Sequence, residues 1–503
     1  MKFEPDAVIG QKGVLFKGLT KPYRIIMKIL LVKPHTELLV AKRLQEGFLH
    51  LEPLELEIVA GGVPDEDDVL ILDLSLEHEP IGAFRNTLSE YSPDMAGFSG
   101  YSTNVDAVKN LAKIVKDFNP GIVTVVGGVH ATLLPKDYAV KQIDIIVRGE
   151  GGTVMRELVR RFKNGESLHY EDRALSPQDP LFNVKAELPP PVYPSAGEIP
   201  RPRRDLVDRS RYFCVWTSSP TGRLDTMFPR VASMRTSIGC AFSCSFCVIP
   251  HLMHGRYLQR SPEDVVDEIE CIREEHIYFV DDEMFLNPAR VTRIAELLIE
   301  RGIKKKYISW ARSDTIVKYP EVFNIWKKAG LDLVYVGLES MDKSRLDEYS
   351  KRTNVETNRK AVDLLREWGI TLHAAFIVHP DFTVEDFRRL EKEVDNVRPA
   401  EVTFTVLSPS PGTKFWHDNK HRFICDPYRF YDCMHSVLPT RLPLKRFYQH
   451  FGRLNSLALR SNPLRVNKIK VPLKDLYRAI SGGTKYIFSL YNIYRDYLPE
   501  KSR

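Results

Sequence analysis

The chain has 503 residues, 43% of them hydrophobic and 27% charged, which is room for two or three domains that each bury a core. No uncharged apolar run reaches roughly 18 residues, which excludes a membrane-spanning helix, and seven cysteines in so long a chain point to a reducing compartment rather than a disulfide framework. The net charge of +6 is unevenly spread: residues 441–503 hold 14 Lys or Arg against 3 Asp or Glu, so this tail carries +11 and the rest −5.

Residues 1–27 mix charges with glycines and lack an apolar stretch followed by a small-residue cleavage site, so a leader segment is expected there and not a signal peptide. Residues 28–165 alternate β-branched runs with helical patterns. Strands are predicted at 28–32, 69–74, 95–98, 122–126 and 143–147, and helices near 54–60, 81–90, 105–118 and 153–162. Five strands with crossover helices make a doubly wound parallel sheet of Rossmann-like α/β type, whose ligands bind beyond the carboxyl ends of the strands. The loops at those ends are polar and rich in glycine: Tyr101, Ser102 and Thr103 after the third strand, Gly127, Gly128 and His130 after the fourth, Gly149 and Glu150 after the fifth. Each loop alone also fits a helix cap, and His130 also fits a structural histidine. Together they predict a large polar ligand approached closely by bare backbone.

Residues 166–230 hold eight prolines between Pro177 and Pro202 and read as a linker. A second βα series follows, with strands predicted at 232–237, 277–280, 307–311, 333–336, 372–378 and 401–407. Six such strands predict a partial parallel barrel over residues 231–415, reactive at the carboxyl ends of its strands. Residues 416–503 are expected to be a helical, basic extension. The nine aromatic residues of 441–503, Phe447, Tyr448, Phe451, Tyr477, Tyr486, Phe488, Tyr491, Tyr494 and Tyr497, fit either a solvated extension or a surface lying on an anionic membrane, with nucleic acid third.

Immediately after the first strand of the second series stand Cys240, Cys244 and Cys247, spaced C-x3-C-x2-C. Three thiolates can hold three irons of a 4Fe-4S cluster and leave the fourth open to a small ligand. Zinc competes, because His251 and His254 follow and a Cys3His site is a known structural type, although zinc sites usually pair their cysteines as C-x2-C twice.

This motif, with Phe246 before the last cysteine and a βα series around it, resembles the radical S-adenosylmethionine superfamily. The glycine-edged sheet before it resembles the cobalamin-binding domain that precedes many such enzymes. Further likeness lies in Phe279-Val280-Asp281-Asp282, Trp310-Ala311-Arg312-Ser313-Asp314, Gly337-Leu338-Glu339-Ser340 and Ser408-Pro409-Ser410-Pro411-Gly412-Thr413, so the resemblance covers roughly residues 28 to 450. Within the class B methylases of that group, Leu51-Glu52-Pro53-Leu54-Glu55-Leu56, Phe376-Ile377-Val378-His379-Pro380 and the stretch from His435 to Leu444 are most similar to the hopanoid C-3 methylase type.

The resemblance implies a 4Fe-4S cluster on Cys240, Cys244 and Cys247, with S-adenosylmethionine on its open iron. Phe246 would flank the adenine through backbone contacts. Asp281, Asp282, Arg312, Ser313 and Glu339 would meet the amino, ribose or carboxylate groups, Arg312 as a bidentate partner of the carboxylate; each also fits an ordinary ion pair or cap. Tyr101, Ser102, Thr103, Gly127, Gly128, His130, Gly149 and Glu150 would meet cobalamin. The D-x-H-x-x-G motif that supplies a histidine to cobalt is absent, and the first loop reads Lys33-Pro34-His35-Thr36-Glu37. Either cobalt lacks that histidine or the domain has lost cobalamin.

The implied reaction is hydrogen abstraction from an unactivated carbon by a 5′-deoxyadenosyl radical, then methyl transfer from methylcobalamin, on a hydrophobic substrate such as a hopanoid or other lipid. A reductant such as flavodoxin or ferredoxin and a cytoplasmic location are expected, with peripheral contact to the inner face of the membrane through the basic tail. Two other readings stay open: a radical cyclase or carbon-carbon coupling enzyme without methyl transfer, and an iron-sulfur sensor or scaffold.

Overall fold

The computed structural model describes residues 26–179, 182, 188–216, 228–461 and 473–499. In the N-terminal sheet, strands β1 (Lys28–Lys33), β2 (Asp68–Asp73), β3 (Met95–Ser99), β4 (Val123–Gly127) and β5 (Ile145–Val147) are parallel, and β6 (Ala174–Leu175) closes one edge antiparallel. Their order is β2-β1-β3-β4-β5-β6. The chain thus reverses its winding between β1 and β3, and this switch point opens a crevice at the carboxyl edge. The strands read as unbroken apolar runs because helices cover both faces. In β1, Leu30 and Val32 pack with Leu88 and Val108 on one face, while Ile29 and Leu31 pack with Leu56 and Leu158 on the other.

The second sheet contains β7 (Val231–Met234), β8 (His276–Phe279), β9 (Lys306–Ala311), β10 (Leu331–Glu339), β11 (Thr371–Val378) and β12 (Glu401–Val406), all parallel and in chain order. The expected doubly wound sheet followed by a partial barrel is therefore present. Outward residues such as Phe279, Val334, Phe376 and Phe404 bury against the helices. The floor is filled by the end of the linker: Trp216 packs with Val231, Ile308 and Leu333, and its indole donates to Asp332 (2.7 Å).

Three differences from expectation have local causes. The first barrel strand stops at Met234, because Thr236 and Ser237 turn to donate to the buried Asp281 carboxylate, and Ser237–Ile238 then pairs antiparallel with Leu258–Gln259. The helix Leu39–Gly47, absent from the predicted elements, packs on the C-terminal helix Leu473–Asn492. Its Gly47 allows this, since a Cβ on Gly482 would lie 2.9 Å from the Gly47 Cα. The third concerns the tail, where Phe447, Tyr448, Phe451 and Tyr486 are buried in the barrel's own core, so much of its aromatic content is structural. Among the described residues no helix is long and apolar enough to cross a membrane.

A buried ionic network joins the two sheets. Arg209 from the linker reaches Glu52 (3.0 Å), Glu57 (3.1 Å) and Glu274 (2.8 Å), and Arg204 reaches Glu268 (2.8 Å). Glu52 in turn accepts from the Ser233 amide in β7. Burial and the neighbouring Glu52 push the Glu57 carboxyl up to about 8, against the pull of the two arginines.

Candidate active site between the two sheets

The cysteine loop, 239–257, is closed at its base by the antiparallel pair Ser237–Ile238 and Leu258–Gln259. Its first residue must be glycine: Gly239 has φ +98°, and a Cβ there would lie 2.2 Å from the Arg256 carbonyl oxygen. Its amide donates to Asp282 (2.8 Å). Cys240, Cys244 and Cys247 are free and half-buried. Burial pushes the Cys240 thiol up to about 11 and that of Cys247 to about 12, with neighbouring thiols adding to the rise. Among the described residues no three His, Cys, Asp or Glu side chains converge on one point able to hold a single metal ion. Zinc needs its ligands about 2 Å from a common centre, whereas a cubane takes one thiolate per iron at separate corners.

Two buried cations stand beside Cys244. The Arg312 guanidinium lies 3.6 Å from its sulfur by Nη1 and 3.7 Å above the Phe242 ring. Lys351 pairs with Glu339 (2.7 Å), and although burial alone would lower its pKa, Glu339 and Cys244 hold it above the ordinary value. An anionic cluster on three thiolates gains from both. The neighbouring Glu283 is buried: Oε2 accepts from the Arg312 amide (2.9 Å), while Oε1 has no partner. Burial pushes its carboxyl up to about 8 despite Arg312. A buried carboxylate oxygen left without a donor is fitted to a bound ammonium or hydroxyl.

The residues assigned to S-adenosylmethionine divide. Asp282 and Glu339 face the mouth of the barrel, Glu339 with φ +59° and already paired. Asp281 instead holds the Thr236–Ser237 turn, and Ser313 is fully buried, donating to Asn358 (2.6 Å). Arg312 has its Nε and Nη2 forked onto Asp314 (2.9 and 3.0 Å), so its bidentate face is spent within the fold. The Phe246 carbonyl accepts from Ser410 (2.8 Å) and its ring meets Tyr349 edge-on. Glu283 and Lys351 were missing from the sequence assignment. Glu283 is one position beyond the Asp281-Asp282 pair, but nothing in the spacing marks Lys351.

Inside the barrel, the inward positions carry Tyr278, Trp310, Tyr335 and His373, all only half-buried although they point to the interior. Trp310 and Tyr335 rings are 3.7 Å apart by centroid and Tyr335 and His373 4.3 Å. His373 is held by Glu401 (2.9 Å) and Thr403 (2.7 Å). This is an aromatic wall facing a space, with one polar end.

The carboxyl edge of the first sheet faces the cysteine loop: helix Val129–Leu133 packs against Ile249–Met253, and the His130 ring meets Tyr428 edge-on at 4.8 Å. Tyr101 stands 63% exposed in this crevice, between the charges of Glu55 and Arg235. Beside it, Gly127 and Gly128 present bare backbone, Gly128 with φ +105° and a Cβ position 2.9 Å from the Gly100 carbonyl oxygen. Thr103 is half-buried, and the Nδ1 of His35, at the β1 end of the switch point, is buried without a partner. A bare cradle, a projecting ring and an unsatisfied nitrogen fit an amide-fringed corrinoid. The other assigned residues do different work. Ser102 and Asp137 satisfy both nitrogens of His130 (3.0 Å each). Glu150 caps helix Gly151–Lys163, and Gly149 is covered by Pro191 and Val192. The β5 loop therefore seats the linker.

Two family models match the chain, the B12 binding domain over residues 47–159 and the Radical SAM superfamily over 234–394. The hopanoid C-3 methylase of Methylococcus capsulatus is 32% identical over 406 residues, covering 80% of this chain and 75% of that protein. The chain belongs to the cobalamin-binding radical S-adenosylmethionine enzymes. The cofactors of this radical enzyme are a 4Fe-4S cluster, S-adenosylmethionine and cobalamin, and the zinc, sensor and scaffold readings fall away. The anaerobic magnesium-protoporphyrin IX monomethyl ester cyclase of Rubrivivax gelatinosus is 28% identical, covering 70% of this chain and 62% of that one. Among solved structures, the radical S-adenosylmethionine methyltransferase TsrM of Kitasatospora setae shares the fold, with a TM-score of 0.62 over 94% of this chain and 100% of that one at 16% identity.

Proposed function

We propose that this enzyme transfers a methyl group to an unactivated carbon of an apolar, lipid-type substrate, with a hopanoid the first to test. The observation that carries the reading is the wall of Tyr278, Trp310 and Tyr335, which offers apolar faces to a substrate and few groups to a charged one. When bound, the cluster with S-adenosylmethionine supplies a 5′-deoxyadenosyl radical and cobalamin supplies the methyl group.

The chain's own residues hold and orient. Cys240, Cys244 and Cys247 bind the cluster, and Arg312 and Lys351 offset its charge. Glu283 receives the amino group of S-adenosylmethionine through its free Oε1, and Asp282 and Glu339 edge the same mouth. Tyr101, Thr103, Gly127 and Gly128 cradle cobalamin. A substrate seated against Tyr278, Trp310 and Tyr335 would cover their exposed faces and displace water from the reacting carbon. A one-electron donor of flavodoxin or ferredoxin type completes the cycle, and a substrate that stays in the bilayer requires the enzyme to work at a membrane.

The test is incubation of the loaded enzyme with methyl-labelled S-adenosylmethionine, reductant and a lipid extract. Label in a lipid heavier by one methylene supports the reading. Formation of 5′-deoxyadenosine with unlabelled, ring-closed product would replace it with the cyclase reading that the 28% identical cyclase keeps in view.

A further inference from the structure

The helix Leu473–Asn492 presents four large apolar residues to water. Leu473, Tyr477, Ile480 and Phe488 are 84%, 75%, 56% and 66% exposed. At 3.6 residues per turn they fall, with Thr484 and Tyr491, within an arc of about 80°. The opposite face is committed to the protein through Gly483, Tyr486, Ser489 and Leu490. A surface helix ordinarily turns its polar side outward, and single exposed apolar residues need no account, but a continuous stripe does.

The stripe ends in a cationic groove. Tyr491, whose ring lies over Gly452, lines a groove of ≈ 660 Å³ together with Lys445, Arg446, His450 and Arg453, and no acidic residue lines it. Arg453 pairs with Glu391 (3.0 Å), whereas Lys445 and Arg446 form no ion pair among the described residues. The 441–503 segment that contains both features carries +11.

We propose that this face docks on an anionic lipid bilayer, the stripe entering the acyl boundary and Lys445 and Arg446 meeting headgroup phosphates. Apolar side chains backed by cations are what such an interface binds. Leu473 and Ile480 have no ring to stack on a base, which disfavours nucleic acid. The same helix points Tyr486 inward, its hydroxyl 3.6 Å from the Met434 sulfur, so the docked face and the interior of the enzyme share one wall. The purpose of docking rests on the proposed lipid-type substrate; the docking itself does not.

The test is flotation of the full chain with phosphatidylcholine vesicles and with phosphatidylcholine–phosphatidylglycerol vesicles. Wild type is expected to float with the anionic vesicles only. Ile480→Asp with Phe488→Asp, and separately Lys445→Gln with Arg446→Gln, should each weaken that binding roughly tenfold or more, while Lys445→Arg retains it. Circular dichroism and S-adenosylmethionine cleavage by the same variants report that they are folded. Wild type that stays with the soluble fraction, variants that float like wild type, or a dimer that the aspartate pair dissolves would each overturn the proposal. A chain that floats but methylates a water-soluble compound would sink the substrate reading and leave docking intact.

Discussion

Raising the pH should loosen the C-terminal helix from the barrel before anything else yields. His435 is fully buried, with Nδ1 2.9 Å from Asp432 and Nε2 3.1 Å from Asp496, so both ring nitrogens donate, which only the imidazolium can do. Burial alone would lower its pKa, but the two carboxylates override it and carry it to about 9. The unfolded chain titrates near ~6.5, so the contribution is complete below that pH and is lost as the pH climbs toward 9. The gap is worth about 3 kcal/mol, or a factor of about 300 in a local opening equilibrium. Asp496 sits in Ile493–Tyr497, directly after the helix, and Phe430 stacks on Tyr497 at 5.2 Å, so the loss is felt where the tail meets the barrel. Hydrogen exchange of 473–497, corrected for the intrinsic pH dependence, should accelerate between pH 7 and 9.5 while β8 to β11 stay protected. His435→Gln should lower protection at pH 7 and flatten the profile. An unchanged slope in that variant would refute the clamp.

Gly239→Ala forces a Cβ toward the Arg256 carbonyl at a positive φ, a strain of about 1–3 kcal/mol at the base of the cysteine loop; iron and sulfide content should fall severalfold at unchanged far-ultraviolet dichroism, and full loading would contradict the geometry. Glu283→Gln keeps the volume and prevents the carboxyl from ionising beside a bound ammonium, so KM for S-adenosylmethionine cleavage should rise about tenfold with kcat nearly steady; an unchanged KM would take Glu283 out of the site. Arg209→Met leaves Glu52 and Glu57 with Arg204 as their one cation and should cost about 2–3 kcal/mol, read as an earlier thermal transition, with the loss shrinking at low pH as Glu57 takes up a proton; an unchanged transition would refute the hub. Trp310→Ala should weaken methylation of an apolar substrate at least tenfold and leave substrate-free cleavage of S-adenosylmethionine alone; equal loss of both would place the ring in the cofactor site instead.

The strands were legible because each is a run of apolar and β-branched residues, and in a sheet covered on both faces that run is the signal. What each polar residue does at the strand ends was not. Asp281, Asp282 and Glu283 are adjacent acids, yet only contact with Thr236 and Ser237 decides that Asp281 is structural, and only the geometry around the Arg312 amide leaves one Glu283 oxygen unpaired. Arg312 reads as a free fork until Asp314 and Cys244 are seen to occupy it. The tail shows the same limit. Its aromatic count could not separate Phe447 and Phe451, which face the barrel, from Tyr477 and Phe488, which face water. The helix Leu39–Gly47 was invisible because its partner, Gly482, is more than 400 residues away along the chain.

The proline-rich segment, which reads as a mere connector, carries the geometry between the two edges. Its arginines are the hub of the network that spans Glu52 and Glu57 on one side and Glu268 and Glu274 on the other, and Arg148 donates to its Pro189 carbonyl (2.9 Å). Buried ion pairs of this kind add little net stability, since desolvation offsets most of the attraction. Their value lies in direction: a hydrophobic contact tolerates sliding, whereas arginine forks on fixed carboxylates do not. A reaction that joins a radical made at one strand edge to a methyl group held at another depends on that separation being held, because misplacement by an ångström costs orders of magnitude in rate. The cost of burying four carboxylates and two guanidiniums is therefore intelligible as the cost of holding the two edges at one distance.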